Sequence, residues 1–387
     1  MPEAVIVDAV RSPIGRAFKG SLVDIRPDDL GARVLDALLE RNPELDPATV
    51  EDLICGCGLP QGEQAFNLAR IVTLLSERLP DTVTATTVHR YCASSLQAIR
   101  AAFHAIEAGE GEAFVAMGIE CVSRVGHQSE VTMPEARNER LSGRNGRPDA
   151  YIDMGLTAEN VADRYSVSRE DMDRFAKRSQ DRAVAARDSG FFDREIVPVE
   201  LPGGETAERD DSPRAGTTLE RLAELEPTFR EGGRVTAGNS CPLNDGAAAV
   251  LVMSHERAKE LELRPRARII ASATSGLEPE LMGVAPIAAI GRVLERAGMT
   301  IEDVDVTEVN EAFAAQVLPI ADACNIDVAR LNPHGGAIAL GHPYGMTGAR
   351  IMTTLLNDLE TDDGQVGLEA MCVAGGQGMA MIVERLR

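Results

Sequence analysis

The last third of this 387-residue chain echoes its first. The run Leu38-Leu39-Glu40-Arg41, followed by Val50-Glu51-Asp52-Leu53-Ile54, has a counterpart in Val293-Leu294-Glu295-Arg296 followed by Ile301-Glu302-Asp303-Val304-Asp305-Val306. A strand-turn-helix unit around Cys92 is answered by the stretch Leu331 to Leu356, with its own Gly-rich turn and helix. The strand Gly246 to Met253 is answered by Gly378 to Glu384. The first pair lies roughly 250 residues apart and the last roughly 130, so the second copy is the shorter. The shortfall matches a middle segment of different character, about 120 to 240. An internal duplication with an insertion in the first copy accounts for these spacings. Chance likeness between α/β units is the alternative.

Within the first copy, strands and helices alternate. Ala4 to Ala9 reads as a strand, followed by the turn Arg11-Ser12-Pro13-Ile14-Gly15. Asp29 to Glu40 places Leu30, Val34, Leu35 and Leu38 on one helical face. Val50 to Cys55 and Ala113 to Met117 read as strands, and Asn67 to Leu75 as a helix. This alternation predicts an α/β layer architecture. The middle segment breaks the pattern. Arg137 to Pro148 is charged and Gly-containing, Met154 to Arg164 and Arg169 to Arg187 read as helices, and Pro202 to Gly216 is polar without period. The expected organisation is an α/β half formed by 1–119 and 243–268, an inserted loop domain over 120–242, and a second α/β half over 269–387.

Cys92 sits where a strand hands over to a helix. The β-branched run Thr82 to Val88 precedes it; Leu96, Ile99, Phe103 and Ile106 follow at helical spacing, and Gly109 ends the helix. A helix start favours a thiolate through its free N–H groups and dipole. Taken alone, the same residue reads as a small cysteine packing a helix–sheet joint.

Three polar turns in the second half, two of them Gly-rich, change that reading. They are Val309-Asn310-Glu311-Ala312-Phe313-Ala314, the run Asn332 to Gly345 containing Gly341-His342-Pro343, and Cys372-Val373-Ala374-Gly375-Gly376-Gln377-Gly378. Loops at the carboxyl ends of strands in α/β sheets converge on one crevice. Cys92 then offers a nucleophile and His342 a base to take its proton. Cys372 offers a second acid/base, and Asn310 can orient a water or donate to an oxyanion. Cysteine, histidine and asparagine together also suit a papain-like protease, but the Cys-Gly-Ser-Cys-Trp signature is missing. A second cysteine base suits deprotonation of a carbon acid or a thiol.

Composition excludes several classes. A formal net charge of −22, with three lysines among 39 basic residues, opposes binding to nucleic acid or anionic membranes. The seven cysteines, at 55, 57, 92, 121, 241, 324 and 372, form no regular framework, which fits a reduced cytoplasmic setting. Cys55-Gly56-Cys57 lacks the partners of a zinc site, so no metal is expected. Arg11 and Asp8 interrupt the only apolar run near the start, and no stretch has the ~20 apolar residues of a membrane span. No Gly-x-x-x-x-Gly-Lys-Ser/Thr phosphate loop is present.

Taken in order, these motifs resemble the thiolase family, the acetyl-CoA acetyltransferases and 3-ketoacyl-CoA thiolases. The resemblance covers nearly the whole chain. It rests on Arg11-Ser12-Pro13-Ile14-Gly15, His89-Arg90-Tyr91-Cys92-Ala93-Ser94-Ser95-Leu96-Gln97, Met154-Gly155-Leu156-Thr157-Ala158-Glu159-Asn160 and Thr236-Ala237-Gly238-Asn239-Ser240. Asn310-Glu311-Ala312-Phe313, Gly341-His342-Pro343 and Cys372-Val373-Ala374-Gly375-Gly376 complete it.

The resemblance implies a duplicated fold with a five-layered αβαβα core and an inserted loop domain. It implies ping-pong acyl transfer: thiolysis of a 3-ketoacyl-CoA to acyl-CoA and acetyl-CoA, or the reverse Claisen condensation. Cys92 would carry the acyl group. His342, with a water held by Asn310, would form one oxyanion hole, and the backbone N–H groups of Cys92 and Ala374 the other. Cys372 would serve the enolate and the CoA thiol. Met154, Arg214, Phe229, Ala237, Met282 and Phe313 would line the CoA and acyl site. Coenzyme A would be a substrate, with no permanently bound cofactor, and the protein a homodimer or homotetramer. A broad or longer-chain substrate, as in fatty-acid β-oxidation, is expected over strict acetoacetyl specificity.

Three departures from the family pattern stand out: Asp153 where some acetyl-specific members carry His, Cys241-Pro242 for the usual Ser-Gly, and Ala374 where Gly is common. Related condensing enzymes, the ketoacyl and HMG-CoA synthases, lack the pairing of Gly-His-Pro with Cys-x-x-Gly-Gly. A non-catalytic lipid-binding relative would be expected to have lost Cys92, His342 or Cys372.

Overall fold

A computed structural model describes residues 2–125, 137–144 and 146–386. Twelve strands are seen among them. They are β1 (Ala4–Arg11), β2 (Gly15–Arg16), β3 (Asp52–Cys57), β4 (Thr84–Val88), β5 (Ala113–Cys121), β6 (Val199–Glu200), β7 (Thr206–Ala207), β8 (Asn244–Ser254), β9 (Ala267–Gly276), β10 (Val306–Val309), β11 (Val366–Val373) and β12 (Gln377–Arg385).

The duplication expected from the sequence is visible in strand order. The first half runs β4-β3-β5-β8-β1 and the second β10-β11-β12-β9. Parallel β3/β5 matches parallel β10/β11, and antiparallel β5/β8 matches β11/β12. Antiparallel β8/β1 matches β12/β9. The place of β4 is taken in the second half by a single parallel bridge, Thr307 to Leu331. The two halves join edge to edge where β1 meets β9 through Val5↔Arg268 and Ile6↔Ala267. The hydrogen-bonded sheet is therefore continuous across the two halves.

Five layers follow from which faces are apolar. Leu30, Val34, Leu35 and Leu38 of helix Pro27–Arg41 pack with Val72 of helix Leu68–Leu75 on the outer face of the first half. Ala289, Ile290 and Val293 of helix Pro286–Ala297 join Val317 and Ile320 of helix Ala314–Ala323 on the outer face of the second. Between the halves lie helices Ser94–Ala108 and Thr347–Thr361, contributing Leu96, Ile99, Phe103, Ile351, Met352 and Leu355 to a shared core. Helix Thr347–Thr361 is buried without a break from Thr347 to Leu359, as a helix covered on all sides must be. With no Trp and only 3% aromatics, this core is filled mainly by aliphatic side chains and methionine.

The described residues of 122–243 add no strand to the main sheet; the strands seen among them, β6 and β7, pair with each other. This segment is tied down by charge. The fully buried Arg11 guanidinium bonds Glu195 at 2.6 Å and Asp210 through two bonds of 2.8 and 2.9 Å. Glu195 in turn accepts from Asn357 at 2.8 Å, so one carboxylate links the segment to both the first strand and the central helix. A bidentate arginine is suited to such a buried junction.

Candidate active site

The nucleophile turn is set by local geometry. Strand β4 ends at Val88, a single helical turn spans Tyr91–Ala93, and helix Ser94–Ala108 begins immediately after. Tyr91 has φ +42°, a left-handed conformation that costs a non-glycine residue energy and marks a functional turn. The turn is held by Ser94 Oγ, which donates to the Tyr91 carbonyl at 2.6 Å and accepts from the Arg90 N–H at 2.9 Å.

Cys92 is buried, and its thiol is not activated in the way its placement suggests. Burial pushes its pKa up to about 12, and the carboxyl of Glu120 adds to that. The N–H groups of Ala374 and of Cys92 itself point at the sulfur and pull the other way, but lose to desolvation. Burial thus outweighs the pull of the helix start, and the balance favours the thiol over the thiolate. The two N–H groups named in the sequence as one oxyanion hole do converge on this sulfur.

His342 is fixed from both sides. Gly341 adopts φ +116°, and a Cβ there would lie 2.6 Å from the Asn244 side chain, so only glycine fits. Asn244 Oδ1 accepts from the His342 N–H at 2.9 Å. On the ring, Nδ1 lies 2.7 Å from Thr347 Oγ1, and that hydroxyl donates to the Pro343 carbonyl at 2.9 Å. With the hydroxyl hydrogen spent on Pro343, Nδ1 carries the ring proton and Nε2 presents a lone pair. Nε2 lies 3.4 Å from Asn310 Nδ2. Burial drives the His342 pKa down to about 3, so the imidazole is a neutral base. Asn310 is 2% exposed, and its Oδ1 has no protein partner among the described residues.

Cys372 lies at the end of β11, beside the turn formed by Ala374, Gly375 and Gly376, the two glycines at φ +79° and +80°. Its thiol pKa is raised by burial and by the neighbouring thiols of Cys92 and Cys241. Cys92, Cys241 and Cys372 thus form one group of thiols. Cys241 is drawn in by its N–H, which donates to the Ala312 carbonyl at 3.0 Å, and by the bridge from Ser240 to Phe313. The sequence marked Cys241 only as a departure near CoA.

Of the expected binding residues, Met154, Phe229, Met282 and Phe313 come together in one apolar cluster. The rings of Phe229 and Phe313 meet edge to face, 5.9 Å apart. Arg214 and Ala237 are exposed on the inserted segment, and the Arg214 N–H donates to Gln180 at 2.8 Å. Asp153 caps helix Met154–Arg164, its carboxylate accepting from the Gly155 N–H at 2.8 Å.

Three residues near this chemistry were not singled out from the sequence. Thr347 orients the His342 ring. Gln316 accepts from the Cys372 thiol at 3.4 Å. Tyr344 packs edge-on against the His342 ring, 5.1 Å between centroids. Thr347 and Tyr344 lie within five residues of His342, and Gln316 six after Asn310, so proximity to the motifs was the available signal.

Cys92 from one half neighbours Cys372 from the other, and that second half also carries the neutral imidazole of His342. That combination on a duplicated α/β fold defines a cysteine-dependent acyltransferase. Family models agree: "Thiolase, N-terminal domain" matches residues 4–256 and "Thiolase, C-terminal domain" residues 263–385. The chain is 46% identical to a beta-ketoadipyl-CoA thiolase of Acinetobacter baylyi and 44% to a 3-oxoadipyl-CoA/3-oxo-5,6-dehydrosuberyl-CoA thiolase of Escherichia coli, in each case over all of both proteins. A 3-ketoacyl-CoA thiolase of Bacillus subtilis is 42% identical over 99% of this chain and 100% of its own.

Among solved structures, the dimeric peroxisomal thiolase of Saccharomyces cerevisiae matches with TM-score 0.93 and 37% identity, over 100% of this chain and 98% of its own. The Bacillus anthracis acetyl-CoA acetyltransferase matches with TM-score 0.90 and 38% identity, over 100% and 99%. The protein belongs to the thiolase family. It is a CoA-dependent acyltransferase that cleaves 3-ketoacyl-CoA with CoA or runs the reverse Claisen condensation. No described helix is long and apolar enough to cross a membrane.

Proposed function

We propose that the chain cleaves a 3-oxoacyl-CoA whose acyl chain ends in a second carboxylate, as the names of the relatives at 44–46% identity indicate for those proteins. This replaces a straight fatty-acyl substrate as the favoured reading. Cys92 attacks the C3 carbonyl while His342 Nε2 takes its proton. The C2–C3 bond breaks, and Cys372 protonates the departing acetyl-CoA enolate. CoA thiol, deprotonated by Cys372, then releases the shortened acyl-CoA from Cys92.

The observation that carries these roles is the convergence of the Ala374 and Cys92 N–H groups on the Cys92 sulfur, with a neutral His342 of fixed tautomer from the other half. A neutral base suits a thiol that ionises only as it attacks. Two N–H groups suit the oxyanion of the tetrahedral centre. Met154, Phe229, Met282 and Phe313 supply the apolar wall of the acyl and pantetheine site, and Arg214 and Ala237 its outer, CoA-facing rim. The setting is cytoplasmic.

The active species is a homodimer, joined along the β4 edge, or a pair of such dimers. Strand β4 ends the sheet, and Phe66, Leu74 and Leu75 stand exposed beside it at 91%, 54% and 43%.

Thiolysis measured with 3-oxoadipyl-CoA and with an uncharged 3-oxohexanoyl-CoA of equal length tests the substrate. A kcat/KM at least tenfold higher for the carboxylate is expected. Equal values, or preference for the uncharged chain, would refute the dicarboxylic assignment.

A further inference from the structure

Cys372 has to gain and lose a proton in every turnover of the proposed cycle, yet nothing charged helps it do so. The titratable groups near it are the thiols of Cys92 and Cys241, which oppose its ionisation as burial does; only its own backbone N–H works the other way. The group in contact is an amide. Gln316, on the first turn of helix Ala314–Ala323 and 1% exposed, accepts the Cys372 S–H through Oε1 at 3.4 Å. Its Nε2 is buried and has no partner among the described residues. A buried donor left unpaired is costly and calls for a reason.

Space has been left for that amide. A Cβ built on Gly283 would lie 2.2, 2.4 and 2.5 Å from Cγ, Cδ and Nε2 of Gln316. Gly283 has no positive φ among those found, so the need for glycine there is the room it gives to Gln316. A primary amide has an acceptor and two donors of nearly the same shape, and its terminal torsion has two broad minima half a turn apart.

We propose that Gln316 is a positioning residue that serves Cys372 in both protonation states, accepting from the thiol through Oε1 and, after turning over, donating to the thiolate through Nε2. The inference rests on Cys372 being the acid/base. When Cys372 takes a proton from C2 of acetyl-CoA, the C–H bond breaks and an S–H bond forms. The electron pair passes to the enolate oxygen, and the sulfur turns from acceptor, as thiolate, to donor, as thiol. The amide turns with it, keeping one hydrogen bond to the sulfur on both sides of the step.

The test uses the full-length protein and two readouts. One is exchange of the C2 hydrogens of acetyl-CoA for deuterium in D2O. The other is the rate of iodoacetamide labelling of Cys372 at fixed pH, about 8, mapped by peptide mass, with Cys92 in the same digest as reference. Gln316→Met removes the amide at similar volume; Gly283→Ala crowds it from the other side without touching the chemistry. Both are expected to slow Cys372 labelling about tenfold or more and to slow exchange roughly 10- to 100-fold, while Cys92 labelling stays nearly fixed. An unchanged or faster Cys372 labelling in either variant that folds, judged by circular dichroism, overturns the proposal. Cys372→Ala separates the two readings. If exchange survives it, Cys372 is not the base; if exchange is lost there but intact in the other two variants, only the role of Gln316 fails.

Discussion

At the scale of single residues, the chemistry depends on hydrogen positions as much as on which groups are present. His342 can act as a base only through Nε2, and Thr347 decides that by accepting from Nδ1 while passing its own hydrogen to Pro343. Thr347→Val keeps the shape and removes the acceptor. A buried ring N–H left unpaired costs about 1–3 kcal/mol and frees the other tautomer. The expected result in steady-state thiolysis is a kcat lower by roughly 10- to 100-fold with KM little changed. Thr347→Ser, which restores the hydroxyl, should recover most of it. A KM effect alone, or no recovery with serine, would show that Thr347 acts by packing.

The nucleophile is open to a direct assay. After brief exposure to acyl-CoA and acid quench, peptide mass mapping should find the acyl group on Cys92. An acyl group on Cys372, or on no cysteine of an active preparation, contradicts the assignment. Cys372→Ala should still acylate slowly but fail in condensation; if condensation persists, another group supplies the base.

At the scale of elements, the site is made by turns that other elements hold in place, and here the sequence is only partly legible. The Cys92 turn and the three polar turns of the second half stand out because their residue types and spacing are local. Gln316, Thr347 and the nearness of Cys241 do not, because each depends on which strand lies next to which. The balance at Cys92 is hidden for the same reason: a helix start is visible in sequence, whereas the burial that outweighs it is a property of the packed halves.

Glu120 shows how the turns are clamped. Its carboxyl, fully buried at the end of β5, accepts from the N–H groups of Gly58 at 2.7 Å, Leu59 at 3.2 Å and Gly345 at 2.8 Å, and from Gln64 Nε2 at 2.5 Å. It thereby ties the loop after β3 to the turn that carries His342. Burial wins over these donors and raises its pKa to about 7.

A carboxyl whose folded pKa lies above its unfolded value contributes stability that is complete below the unfolded pKa and is lost as pH rises through the folded one. From 4.5 to about 7, that is on the order of 3 kcal/mol, lost between pH 4.5 and somewhat above 7. Urea unfolding of the native sequence should therefore show lower stability at pH 8 than at pH 5. Glu120→Gln should be less stable at pH 5, because an amide cannot accept from all four donors, and should lose less on going to pH 8. Parallel pH dependences in the two proteins would remove Glu120 as the cause.

At the scale of the whole molecule, duplication explains both the site and the edge at which the sheet ends. Each half supplies a strand-turn-helix unit to the central layer, and the proposed nucleophile and base, Cys92 and His342, are carried one on each unit. The halves differ at one margin. The second half closes with the Thr307–Leu331 bridge, while the first closes with a full strand, β4, whose outer side pairs with no other strand among the described residues. An exposed edge strand is a pairing site unless it is blunted, and β4, Thr-Ala-Thr-Thr-Val, carries neither the charge nor the proline that would oppose pairing.

Helix Leu68–Leu75 is riveted to β4. Asn67 Nδ2 donates to the Ala85 carbonyl at 2.8 Å, the Ala69 N–H to Thr87 Oγ1 at 3.0 Å, and Arg70 Nη1 to the Val83 carbonyl at 2.7 Å. Its Leu74 and Leu75, with Ile71 and the left-handed Phe66 at φ +62°, make an apolar margin alongside the strand. In a chain of net charge −22, such a margin pairs with a second copy more readily through apolar contact than through charge. Light scattering should then give a mass of twice 41.4 kDa or a multiple of that.

Placing carboxylates in this margin with Phe66→Asp and Leu74→Asp together should shift the protein toward monomer. Because β4 runs directly into Tyr91 and Cys92, the same change should lower thiolysis in proportion to the monomer fraction, with activity returning at high protein concentration. A native mass of 41.4 kDa, or a double variant that keeps its oligomeric mass, would move the interface to another face of the molecule.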